Sequence, residues 1–172
     1  MDNAGGAPSA ADEDAFWQLI EAARSAAGGD PAETAQRLGE ILRGRSPEEI
    51  ARFDAVFQAA MARSYTWDLW AAAYIVQGGC SDDCFEYFRG WLIGQGRETF
   101  EAVLRDPEEL ADLDAVFDES EEILYAARQA YEQRAGRELP WQRHQPAEPT
   151  GEPFDEASVN DRFPRLAAAF SM

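Results

Sequence analysis

Two adjacent carboxylates, Asp82 and Asp83, and two cysteines, Cys80 and Cys84, are the side chains in this sequence whose type and spacing come nearest to chemistry. A pair of carboxylates on a short turn can work as a general acid and base when one of them is turned into a pocket. Asp83 lies four residues before Tyr87 and Asp82 four before Glu86, so on a helix they point to different sides. Asp83 shares the side of the aromatic stripe and is the expected pocket residue; Asp82 shares the wet side of Glu86. Trp67, Trp70, Tyr74, Tyr87, Arg89 and Trp91 are the side chains expected to line a binding site next to them. The plainer role is structural. Ser81 is a good N-cap, carboxylates in the first turn complement the positive helix end, and aromatics at helical spacing usually build core.

Cys80 and Cys84, with His144, form the one set that resembles metal ligands. Three intervening residues is a tolerable zinc spacing, but a fourth ligand would have to be a carboxylate. We expect no metal and no cofactor. A nucleophilic thiol near a helix N-terminus is opposed by the two aspartates, which favour the protonated form. Two cysteines in a chain without a visible signal peptide are expected to stay reduced, in the cytoplasm, which disfavours a Cys80–Cys84 disulfide. No phosphate-binding glycine loop, HExxH, GxSxG or CxxC occurs.

These residues need elements to hold them. Thr66 or Asp68 starts a helix to Gln77 that is apolar nearly all round, and such a helix is normally buried. Gly78 and Gly79 end it. Ser81 then opens a second helix in which Cys84, Tyr87, Phe88, Trp91 and Leu92 recur on one face, with Phe85 at its edge and Glu86 and Arg89 opposite. Residues 67–95 therefore read as a tight helical hairpin, with its first helix at the centre of the fold.

The remaining chain repeats a cap followed by a 3.6-residue period. Residues 1–11 read as a disordered tail, and residues 12–138 as a helical domain. Helices are expected from Asp12 to Ala27, from Pro31 to Arg43, behind the Ser46 capping box, from Arg97 to Leu104, and from Glu119 to Ala135. PEEIARFDAVF at 47–57 and PEELADLDAVF at 107–117 match at eight of eleven positions, which raises an internal duplication or, more simply, two similar helix starts. Residues 139–172 carry Pro140, Pro146, Pro149 and Pro153, with Trp141, Phe154, Phe163, Leu166 and Phe170 spaced among polar residues. This segment is expected to wrap the body, insert its aromatics and form a short helix near 156–162. No stretch alternates with period two. The fold expected is all-α: a single multi-helix domain around the Trp-rich hairpin.

The formal charge is −18, from 33 acidic and 15 basic residues. Such a surface repels phosphate backbones, so we expect no nucleic-acid partner, and a basic protein or peptide partner fits better. No run of 18 apolar residues exists, so no membrane span is expected. All 15 basic residues are arginine, a composition that suits a GC-rich bacterial genome.

The pattern GGxSDDxFxYFRxWLIxxG over residues 78–96, together with Trp17 and the Asp106-Pro107 restart, resembles the bacterial domain-of-unknown-function family 4240. The resemblance spans about Asp12 to Tyr131 and leaves out the proline-rich segment. It implies a shared fold unit and bacterial origin, and transfers no catalytic residue.

Two functions follow from the sequence. The first is an accessory or protein/peptide-interaction protein. The second is a small metal-independent enzyme of peptide or secondary metabolism that uses Asp83 and Asp82 as acid and base. A concave pocket holding one of the aspartates together with Tyr, Trp and Arg side chains would separate them.

Overall fold

Each of the first five helices begins on a side-chain cap. In the computed structural model, which describes residues 7–113, 117, 121–140 and 145–170, Ser9 opens α1 (Ala10–Ala26) and Asp30 opens α2 (Pro31–Arg43). Ser46 opens α3 (Pro47–Arg63), Thr66 opens α4 (Trp67–Gln77) and Ser81 opens α5 (Asp82–Gly94). Each cap oxygen accepts a backbone N–H of the first turn that has no partner within the helix. α1 starts two residues earlier than Asp12 because Ser9 and Asp12 form a reciprocal capping box, with Asp12 as its third helical residue.

α6 (Arg97–Arg105) follows, then a 3-10 helix (Pro107–Asp112), α7 (Glu122–Ala135), α8 (Val159–Arg162) and α9 (Pro164–Phe170). The described residues contain no strand, only one isolated parallel bridge between Thr66 and Thr150. The architecture is all-α.

The two similar stretches fold differently. Residues 47–57 lie in the continuous helix α3, whereas 107–112 make a 3-10 helix and Leu113 is extended. Phe117 lies between Phe88 and Trp91, with ring centroids at 5.3 and 5.7 Å. Residues 119–120 of the expected long helix lie outside the described residues, and α7 begins at Glu122.

α2 packs on α1 and α7, and α3 on α1 and α7. α5 threads this group and touches α1, α2, α3, α4, α6 and α7. It can do so because Gly90 and Gly94 face α7. A Cβ at Gly90 would stand 2.8 Å from a methyl of Leu124 and 3.1 Å from one of Ile123. Within the hairpin, α5 and not α4 therefore makes the widest set of contacts. α4 is buried for another reason. Leu69, Ala71, Ala72, Ala73 and Ile75 are all buried, and its outer side is covered by α8, α9 and the 3-10 helix. Val159, Phe163 and Leu166 supply that cover, all of them buried. The sequence expectation of one short helix at 156–162 gives way to two, α8 and α9, parted at Phe163-Pro164.

Candidate functional site

Four aromatic rings form a continuous stack along the α4–α5 junction. Trp67 lies parallel to Trp70, one turn later on α4, with centroids at 5.3 Å and planes within 7°. Trp70 stacks on Phe85 at 5.0 Å and 10°, and Phe85 on Tyr65 at 6.0 Å and 26°. Each such pair contributes on the order of 0.5–1.5 kcal/mol beyond its buried area. The Trp70 indole N–H donates to the Cys80 carbonyl at 3.0 Å, which fastens the stack to the turn between the helices.

That turn is closed covalently. Cys80 and Cys84 form a disulfide, with Cα atoms 5.3 Å apart, around the Ser81 cap and the two aspartates. This corrects the expectation of reduced thiols. One helical turn folded back at a cap brings the two sulfurs together, a geometry that the redox state of a compartment does not decide. Neither sulfur is therefore a free nucleophile. Among the described residues no group of three or more His, Cys, Asp or Glu is placed to hold a metal ion, and His144 lies outside them.

Arg89 sits under the stack, only 2 % exposed. The sequence places it on the wet face of α5, and the structure reverses this. Phe85, Phe88, Arg89 and Leu92 face inward, one step round the helix from the stripe expected, because aromatic residues occupy both candidate faces. The guanidinium lies over Tyr65 at 4.7 Å and over Phe85 at 4.8 Å. Its Nη1 donates to the Met61 carbonyl at 2.8 Å and to Oε1 of Gln145 at 3.1 Å, and Nε donates to the Phe85 carbonyl at 3.4 Å. Burial pulls its pKa down to about 10, against the opposing fields of Glu86 and Tyr65. Among the described residues no carboxylate forms an ion pair with it. Aromatic faces and carbonyl dipoles replace that counter-ion.

The outer end of the stack is covered by the proline-rich segment. The Trp67 N–H donates to the Thr150 carbonyl at 2.9 Å and the Thr150 N–H to the Tyr65 carbonyl at 3.1 Å. Phe154 packs edge-on against Trp67 at 6.1 Å and against Tyr74 at 5.5 Å. Partial burial and the neighbouring Glu156 push the Tyr74 hydroxyl above its ordinary pKa. Arg162 pairs with Asp68 at 3.1 Å and ties its own segment with bonds to the carbonyls of Glu152 and Pro153. Arg165 reaches Asp112 at 2.6 Å, and its backbone N–H lies 3.3 Å from a Glu108 carboxylate oxygen.

The other expected residues are elsewhere. Asp82 and Asp83 are both exposed in the first turn of α5, so Asp83 does not turn inward with the aromatics. Tyr87 is half-buried and donates to Glu121 at 3.2 Å. Glu121, partial burial and Asp83 hold its hydroxyl above the ordinary tyrosine range. Trp91 packs with Phe88 and Phe117 on the opposite side of α5, and its buried indole N–H has no partner among the described residues. The structure thus brings Trp67, Trp70, Tyr74 and Arg89 together and separates them from Asp82, Asp83, Tyr87 and Trp91. Sequence reading missed Tyr65, Asp68, Gln145 and Arg162. Their signals are a threonine cap placed beside an aromatic, and arginines in an otherwise acidic tail.

Among known families, the model described as protein of unknown function (DUF4240) matches residues 11–133. The segment lying on the aromatic face, residues 145–170, is outside the matched stretch. No curated protein and no solved structure matches the chain.

Proposed function

The chain belongs to the DUF4240 family, and we propose that it is a peptide-interaction protein whose recognition surface is the aromatic face of α4, held in this chain by its own C-terminal segment. The observation that carries the reading is the manner of that contact. An extended stretch bonds through its backbone at Thr150 to Tyr65 and Trp67, and sets a single aromatic, Phe154, against two rings. Main-chain bonds give such recognition its affinity and side-chain pockets its selectivity. Arg162 and Arg165 complete it by reaching Asp68 and Asp112. A partner would carry the same features: an extended stretch, one aromatic and arginines behind it. In a chain of charge −18 the arginines supply the attraction, which agrees with a partner that presents basic groups.

Amide exchange tests this. A synthetic peptide of residues 145–170 in excess should exchange places with the chain's own segment. Protection of the Trp67 N–H should persist, while residues 145–170 of the protein become faster to exchange. A tail whose exchange is unchanged at every peptide concentration contradicts the reading.

A further inference from the structure

The cleft between α1 and α3 lies away from the aromatic face. It encloses about 350 Å³, a volume in the range of small-molecule sites. Phe16 and Phe53 make its floor, both buried, with ring centroids 4.7 Å apart, and half-buried Leu19 extends it. Ala15 on α1 leaves the wall low, so the cleft stays open to solvent.

Two guanidiniums line the same cleft, Arg45 and Arg52. Neither makes an ion pair or a side-chain hydrogen bond among the described residues. Arg24, Arg37, Arg63, Arg97, Arg162 and Arg165 are instead paired with carboxylates. The acids on the cleft rim are already engaged: a carboxylate oxygen of Asp12 accepts from the Ser9 N–H at 3.2 Å, and one of Glu49 from the Ser46 N–H at 3.1 Å. The capping boxes of α1 and α3 hold these two carboxylates toward their helix ends; Arg52 acts on the Asp12 carboxyl only through its field, the smallest of the effects on that group, and neither arginine has a hydrogen-bond partner for its side chain among the described residues.

We propose that this cleft binds a small amphipathic carboxylate, with its apolar body on Phe16, Leu19 and Phe53 and its head between Arg45 and Arg52. An apolar floor with charge at one end selects such a molecule over either a plain hydrocarbon or a hydrophilic anion. The planar fork of arginine matches a carboxylate in two parallel bonds.

The test uses the full chain, with 8-anilinonaphthalene-1-sulfonate as the fluorescent probe and decanoate or decanol as competitors of equal length. The probe should bind saturably at one site, and decanoate should displace it at a concentration at least about tenfold below that of decanol. Arg45→Gln and Arg52→Gln should each weaken decanoate about tenfold and leave decanol unchanged. Ala15→Trp fills the cleft from an exposed position on α1 and should abolish binding of both, with the thermal melt unchanged; Ala22→Trp, also exposed on the same wall, serves if the first variant melts early. Equal displacement by decanoate and decanol, probe binding that survives a folded cleft-filling variant, or no saturable probe binding overturns the proposal.

Discussion

Arg162 and Asp68 stand 94 residues apart in the chain and 3.1 Å apart in space. Their contact joins the C-terminal segment to the first turn of α4. Arg162 is 23 % exposed at its side chain and Asp68 64 %. An ion pair so open to solvent contributes little to stability, on the order of 0–1 kcal/mol. It does fix orientation, because the same guanidinium also bonds the carbonyls of Glu152 and Pro153 and so shapes the segment it belongs to. Arg162→Glu should therefore leave the melting temperature of the body almost unchanged while raising amide exchange across residues 145–154.

Removal of the segment should have a larger effect. Val159, Phe163 and Leu166 are buried against α4, whose outer side then meets water. At roughly 1.5–3 kcal/mol for each large side chain buried, a chain ended after Gly136 should melt markedly lower or aggregate. Light scattering and thermal melts check this, and an unchanged, monodisperse truncated protein refutes it.

How far the sequence carries this account can be judged from three places. The helix starts at Asp30, Ser46, Thr66 and Ser81, the Gly78 and Gly136 stops and the all-α class are readable, because caps and 3.6-residue periods act over one turn; the first start is not, since Ser9 and not Asp12 is the cap. The orientation of α5 is not. Cys84, Phe85, Tyr87, Phe88, Trp91 and Leu92 leave two faces equally apolar, and a burial-counting rule treats Arg89 as surface when its counter-charge is a pair of rings. The disulfide is also hidden, since its formation depends on how the chain turns at Ser81 and not on a motif. Within the candidate site, Trp67, Trp70 and Tyr74 are legible as a group on α4. Asp68 and its partner Arg162 are not, because no local rule connects residues so far apart.

The Cys80–Cys84 bond closes a loop of five residues, for which chain-entropy arguments give roughly 2 kcal/mol. A Cys80→Ser, Cys84→Ser double variant should melt roughly 4–8 °C lower. A thiol titration of the native, unfolded but unreduced protein should find no free thiol; two free thiols would contradict the bond.

A pH effect follows from Arg63 and Glu101, joined by two bonds of 2.9 Å. The Arg63 hydrogen bond holds the Glu101 carboxyl below its ordinary value, against a smaller opposing effect of burial. A depressed carboxylate pKa stabilises the fold at pH above the unfolded value, and this is lost as pH falls through the folded one. Arg63 is exposed and Glu101 half-buried, so solvent screening keeps the contribution to at most about 1 kcal/mol. The difference in melting temperature between the native chain and Glu101→Gln should be present at pH 7 and close as the pH drops below 4. A difference that widens on acidification would contradict it.

Asp82→Asn and Asp83→Asn should behave alike. Both carboxylates are exposed in the first turn of α5, where the helix dipole favours them by about 0.3–1 kcal/mol. Thermal melts should show a small loss for each, with binding of the 145–170 peptide unaffected. A selective loss of binding in Asp83→Asn alone would place that residue in the site.

The most direct test of the peptide-docking claim is a charge swap read by fluorescence anisotropy. The protein carries Phe154→Ala and Arg162→Ala, which loosen its own segment, and the labelled probe is the 145–170 peptide. We expect saturable binding to this variant, at least about tenfold tighter than to the native chain, whose site is already covered. Adding Asp68→Arg to the protein should weaken that binding about fivefold, and the same peptide made with Arg162→Asp should recover it. Equal affinity for the native and loosened chains, or no rescue by the reversed pair, would contradict the claim.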